Sequence, residues 1–203
     1  MFNRIIILCS VFFLSLTPVV AEKSPEAEAF VMDVSNQVIE ILNLTTAQEK
    51  EDEFRVLLNN KANLKRIAAF TLGKYRHQLS PTELQEFQSL FKTMITKVYA
   101  NRLGSYEDQK IVVLGSEKKK KDYLVETELR FNDGSDPIAI VWRLRQEKDG
   151  RITLFDLRVL GIWMALEQRE TFLSILKNNN EDFNVLLDNL RQQISAGSTV
   201  TSD

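Results

Sequence analysis

FDLRVLGIWMALEQRETF, the stretch Phe155–Phe172, carries two periodicities in one short span. Phe155, Leu157 and Val159 alternate with Asp156 and Arg158, the period of two expected of a half-buried strand. Gly161 then breaks the strand, and Leu166, Arg169, Phe172 and Leu173 follow at helical spacing. A strand that gives way almost at once to a helix folds that helix back over an apolar sheet face. Whatever lies between the two sits in an oily environment.

Working back from this elbow, the period stays at two. Ile138, Ile140, Trp142 and Leu144 alternate with Ala139, Val141, Arg143 and Arg145, and Tyr123, Val125, Thr127, Leu129 and Phe131 with Leu124, Glu126, Glu128 and Arg130. Ile111–Leu114 is a short apolar run. The joins Asn132-Asp133-Gly134-Ser135 and Lys148-Asp149-Gly150 have turn chemistry. With Ile152–Leu160 these segments predict a four-stranded antiparallel meander with one apolar and one mixed face.

The N-terminal half has the helical period instead. Phe30, Val31, Val34, Val38, Ile41 and Leu42 form one stripe, and Thr46 with Glu49 is a capping-box pattern for a helix carrying Phe54, Leu57 and Leu58. A shorter stretch holds Leu64, Ile67, Ala68 and Phe70. Ser80-Pro81-Thr82-Glu83 is the clearest start signal: serine caps, proline takes the first helical position, and Glu83 reaches back. The long amphipathic helix it opens carries Leu84, Phe87, Leu90, Phe91, Met94, Ile95 and Val98 and is expected to stop near Gly104. Two helices close the chain, the last with Phe183, Leu186, Leu187, Leu190 and Ile194 on one side, before a small, polar tail at Ala196–Asp203. The fold class is α+β: a twisted antiparallel sheet with helices over its apolar face, an arrangement that makes either a solid core or a cup.

The first residues read as an address. Arg4 precedes an apolar run from Ile5 to Leu16, Pro18 breaks it, and Val19-Val20-Ala21 offers a cleavage site, so residues 1–21 are expected to be a cleaved signal peptide. The run is shorter than the roughly 20 residues that span a bilayer. It also continues past Cys9, which argues against a lipoprotein site. Cleavage removes the only cysteine of the 203-residue chain. Residues 22–195 then form a single domain that must be held by an ordinary core, without disulfides. Net charge is −2, with none of the basic bias of a nucleic-acid binder. The Lys118–Lys121 run between two strands is read as a solvated hairpin loop, with a patch for anionic headgroups or an acidic partner as the alternative.

Motifs for catalysis are missing from the sequence. His77, the only histidine, stands before the turn at Ser80 and reads as a solvated helix-end residue. No nucleophile elbow or phosphate-binding loop is present, and no carboxylates cluster at metal-ligand spacing. No cofactor is expected. Asp156 should point away from the apolar face toward a salt bridge with Arg158 or Arg143, and a role as general base is the enzymatic alternative.

Several separated blocks carry a resemblance. They are Ile67–Arg76, with its Leu72-Gly73 pair; Leu84 to Phe91, then Tyr99-Ala100, Leu103 and Tyr106; and Asp156, Gly161, Met164, Gln168, Arg169 and Phe172. In order and spacing they resemble the MlaC family of periplasmic lipid carriers, which maintain outer-membrane lipid asymmetry. Leu79-Ser80-Pro81 and Ala100-Asn101-Arg102 are similar to its hopanoid-associated branch. Leu160 and Trp163 depart from that pattern, standing where relatives often have glutamate and serine, and make the elbow more apolar.

The resemblance implies a soluble periplasmic shuttle, not an enzyme, for phospholipid or a related lipid. It implies partners in an outer-membrane lipoprotein complex and an inner-membrane ABC transporter with an MCE-domain subunit. A monomer with no nucleic-acid partner is expected. The sheet face and long helix would then enclose a lipid pocket lined by Phe70, Phe87, Phe91, Met94, Val125, Leu129, Ile140, Trp142, Phe155, Leu157, Val159 and Met164. The alternative is a periplasmic chaperone-like module with a filled core, gripping apolar segments of client proteins.

Overall fold

The computed structural model describes residues 23–103 and 109–197. The expected signal peptide, the helix stop at Gly104, Tyr106 and the end of the tail lie outside the described residues, as do the side chains of Asn101, Arg102 and Leu103.

The helix starts follow their caps. Ser24 accepts a hydrogen bond from the Ala27 N–H at the head of α1 (Pro25–Leu42). Thr46 and Glu49 form the full capping box of α2 (Ala47–Lys61), and Asn63 caps α3 (Leu64–Thr71). A 3₁₀ turn, Gly73–His77, leads to α4 (Pro81–Leu103), where the Ser80 and Glu83 bonds are reciprocal. Such caps satisfy amides that a helix leaves open at its start.

Five strands follow in the order β1-β2-β3-β4-β5, every neighbour antiparallel: β1 (Lys110–Lys119), β2 (Asp122–Arg130), β3 (Ile138–Gln146), β4 (Ile152–Val159) and β5 (Ile162–Trp163). The expected four-strand meander is thus one strand short. Leu160 (φ 49°) and Gly161 (φ 86°) make a two-residue turn with both φ values positive, and Ile162 pairs back onto Val159. That is the twist-matched hairpin turn, and it inserts β5 before α5 (Met164–Asn178) begins. The Lys118–Lys121 run is likewise split: Lys118 and Lys119 end β1, and only Lys120-Lys121 make the turn. Finally α6 (Phe183–Gly197) extends through Ala196 and Gly197, which were expected to belong to the tail.

Among the described residues the apolar side chains form two cores. One joins the face of the sheet carrying Tyr123, Val125, Trp142 and Leu144 to Val31, Val34 and Ile41 of α1 and Phe54 and Leu57 of α2. The other is built from helices: Ala68 and Leu72, Phe87, Phe91 and Met94 of α4, Phe172 and Leu176 of α5, and Leu186 and Leu190 of α6. Its centre is aromatic, with Phe87 5.9 Å from Phe91, 5.7 Å from Phe172 and 5.9 Å from Phe183 between ring centroids.

Candidate functional site

Between α1, α2 and the apolar sheet face lies a cavity of about 580 Å³. From α1 it takes Val34, Val38, Ile39 and Leu42, and from α2 Phe54, Leu57 and Leu58. The sheet contributes Ile111, Leu129, Ile138, Ile140, Trp142, Leu154, Leu157 and Val159, and Tyr99 and Met164 close the sides. Large apolar side chains such as Leu129, Ile140, Leu157 and Val159 are only half-buried, because they face this space instead of one another. An engineered apolar cavity of only about 150 Å³ stays dry and takes up benzene. One this size and this apolar is in the range of ligand sites, not of packing defects.

Polar groups are few and mostly satisfied. The Ser35 hydroxyl donates to the Val31 carbonyl (2.7 Å). The Trp142 indole N–H donates to the Thr127 hydroxyl (3.0 Å), which in turn donates to the Ile140 carbonyl (3.1 Å), so the ring presents only its apolar surface. Lys61 is held by Asp33 at 2.6 Å, and that bond keeps the Asp33 carboxyl below the usual carboxylate range. Asn43, Gln109, Lys110 and Asn132 complete the polar part of the lining, and among the described residues the Gln109 side-chain oxygen is buried without a partner. With most of its wall apolar and Ser35 and Lys61 already held in hydrogen bonds, the arrangement is suited to holding an apolar guest.

Of the residues expected to line a pocket, Leu129, Ile140, Trp142, Leu157, Val159 and Met164 come together here. Phe87, Phe91 and Met94 do not: α4 buries them in the helical core, and only its far end, at Tyr99 and Ala100, reaches the sheet. Val125 is fully buried within the first core. Phe155 is displaced by a bulge. Arg143 pairs with Asp156 but the next residue, Leu144, pairs with Leu154, so Phe155 and Asp156 fall on the same face. Phe155 therefore turns away from the cavity, edge-on to Phe70 (5.4 Å) and under the guanidinium groups of Arg145 (4.4 Å) and Arg143 (5.2 Å). Asp122 holds both arginines at 2.6–2.7 Å. Burial alone would raise its carboxyl, but the bonds from Arg145 and Arg143 outweigh it and hold it below the ordinary value. The α1 and α2 lining residues were legible as stripes but not as pocket walls, since periodicity says which face is apolar and not what it faces.

The elbow beside the cavity is anchored from behind. Asp156, 5% exposed, accepts from the Ala165 and Leu157 N–H groups (2.8 Å each), so it tethers the first turn of α5 in place of the expected salt bridge. Burial pushes its carboxyl up, opposed by those two N–H groups and by Arg143. It points away from the cavity walls Leu157 and Val159, and both of those bonds fall on its Oδ1. Arg169 lies 5.0 Å over the Phe70 ring and against Gly73, tying α5 to the end of α3. His77 is exposed and accepts from Arg76 (3.0 Å).

The family described as MlaC protein matches residues 32–192, from within α1 to within α6. The chain belongs to the MlaC family. An intermembrane phospholipid transport system binding protein, MlaC of Haemophilus influenzae, is 23% identical in a 193-residue alignment that covers 90% of this chain and 88% of that one. A phospholipid-binding protein from Ralstonia solanacearum, solved in complex with a phospholipid, has the same fold. Its TM-score is 0.73 at 18% identity, covering 85% of this chain and 99% of the other. Of the residues on which the resemblance was read, Gly73 lies against Arg169 and Asp156 holds the start of α5.

Proposed function

We propose that this chain is a lipid carrier of the cell envelope. It would be exported by residues 1–21, fold as one domain over residues 22–195, and hold the acyl or polycyclic part of a phospholipid or hopanoid-type lipid between α1, α2 and the sheet. The single observation that carries this reading is the 580 Å³ apolar cavity. It stands where a packed α+β core would otherwise be. Among the described residues no helix is long and apolar enough to cross a membrane, and carriage between membranes needs none. The phospholipid named for both relatives supports the same class of guest. The cavity holds and releases; no chemical step is assigned to it.

Burial contributes about 0.8 kcal/mol per CH₂, so a twelve-carbon segment gives on the order of 10 kcal/mol before ordering costs. Release into water is correspondingly slow. The chain has no phosphate-binding loop with which to drive release, so opening must come from partners that bind the open form better. An outer-membrane lipoprotein complex and an inner-membrane ABC transporter with an MCE-domain subunit would fill that role.

The test is lipid extraction and mass spectrometry of gently purified protein, beside an Ile140→Trp variant that fills the cavity. Wild type should carry lipid, and the variant at least about tenfold less, the factor equal to 1.4 kcal/mol. Lipid-free wild type, or equal loading of a folded Ile140→Trp variant, sinks the proposal.

A further inference from the structure

We propose that the β4–β5 turn, with Leu160, Ile162 and Leu166, is a wedge that enters the apolar layer of a lipid bilayer at the rim of the cavity. The inference rests on the carrier reading. Six large apolar side chains are exposed among the described residues, and three of them lie on Leu160–Leu166 at 73%, 53% and 44% exposure, whereas the others are scattered over α1, α2 and β1. Leu160 is the most exposed of all and sits at the tip with φ 49°. The first position of such a turn favours Asn, Asp or Gly. Leucine is therefore unfavourable there for both backbone and hydration, and contact with an apolar phase offsets the second cost.

Two further features choose a bilayer as the occupant. Directly behind the tip Arg158 and Trp163 are register partners on β4 and β5, with the guanidinium 5.3 Å over the indole ring. Both are side chains with apolar bodies and polar heads, the kind that settles at headgroup level and snorkels toward water. The tip is also continuous with the cavity, since Val159 and Met164 on either side of Leu160–Trp163 line it. A tip buried in acyl chains would bring the cavity rim to the surface from which a lipid must come. A protruding two-residue turn needs no complementary groove, which a protein partner would have to supply.

The experiment compares wild type with a Leu160→Asn/Ile162→Thr variant in flotation with vesicles of phosphatidylethanolamine and phosphatidylglycerol. Asparagine suits the positive φ and threonine suits a strand, so the variant should keep or raise its thermal midpoint. Neither residue lines the cavity, so phospholipid supplied in detergent, without a membrane to dock on, should load the variant to the wild-type level by mass spectrometry. Wild type should float, with little change between about 0.05 and 0.5 M salt because the contact is apolar. The variant should float at least about fivefold less, given the apolar area removed. Equal flotation of the two proteins, or failure of wild type to float, overturns the wedge. Absence of lipid from both, with the flotation difference intact, counts against the carrier reading alone.

Discussion

The Asp156 carboxylate reaches from β4 to the first turn of α5 and accepts from the Ala165 N–H at 2.8 Å. The N-cap of that helix is Trp163, whose side chain makes no cap bond, so Asp156 supplies from elsewhere in the chain what Thr46 and Ser80 supply locally. A cap is worth about 0.5–2 kcal/mol, and leaving a buried N–H unpaired costs a further 1–3 kcal/mol in the worst case. Asp156→Ala should therefore destabilise by about 2–3 kcal/mol in urea unfolding. Asp156→Asn keeps an acceptor oxygen and relieves a charge that burial disfavours, so it should recover most of that loss. An alanine variant within about 0.5 kcal/mol of wild type would show that the anchor contributes little.

At the scale of elements, two glycines at positive φ have different reasons to be there. Gly73 (φ 54°) ends α3, and a Cβ there would meet the Arg169 guanidinium at 3.2 Å; Gly161 (φ 86°) has nothing within 4 Å. Gly161→Ala should cost only the backbone term, about 1 kcal/mol. Gly73→Ala should cost about 2–3 kcal/mol, because the Arg169 contact with Gly73 and Phe70 must also shift. Chemical denaturation of the two variants checks the order, and a larger loss at Gly161 would contradict the role given to Arg169. The same elbow shows where alternation misleads. Phe155, Leu157 and Val159 share a face in an unbroken strand, but the bulge at Phe155-Asp156 rotates Phe155 to the far side.

For the whole molecule, the division into two cores separates stability from carriage. The helical core around Phe87, Phe91 and Phe172 is densely aromatic and shares no residue with the cavity walls. Phe87→Ala should cost about 3–5 kcal/mol, as a fully buried phenylalanine does. The protein that remains folded should carry the same lipid per molecule as wild type, measured by mass spectrometry against protein mass. A selective loss of lipid at unchanged stability would mean that the Phe87 face of α4 also walls the cavity.

The sequence by itself determined the helices and most of the strands, because caps such as Ser80-Pro81 and periods of two or 3.6 act over a few residues. It also determined which sheet face is apolar, so Leu129, Ile140, Trp142, Leu157 and Val159 could be placed on the cavity side. The partner of that face was decided only by tertiary structure. The aromatic stripe of α4 has the same period whether it meets a sheet or other helices, and it is α3, α5 and α6 that cover it. The sheet is left to α1 and α2, whose stripes do not fill the space above it, and a cavity remains. The bulge at Phe155 and the turn at Leu160-Gly161 escaped for a related reason. Each depends on how one strand registers against another, and register is a property of the pair, which no single segment encodes.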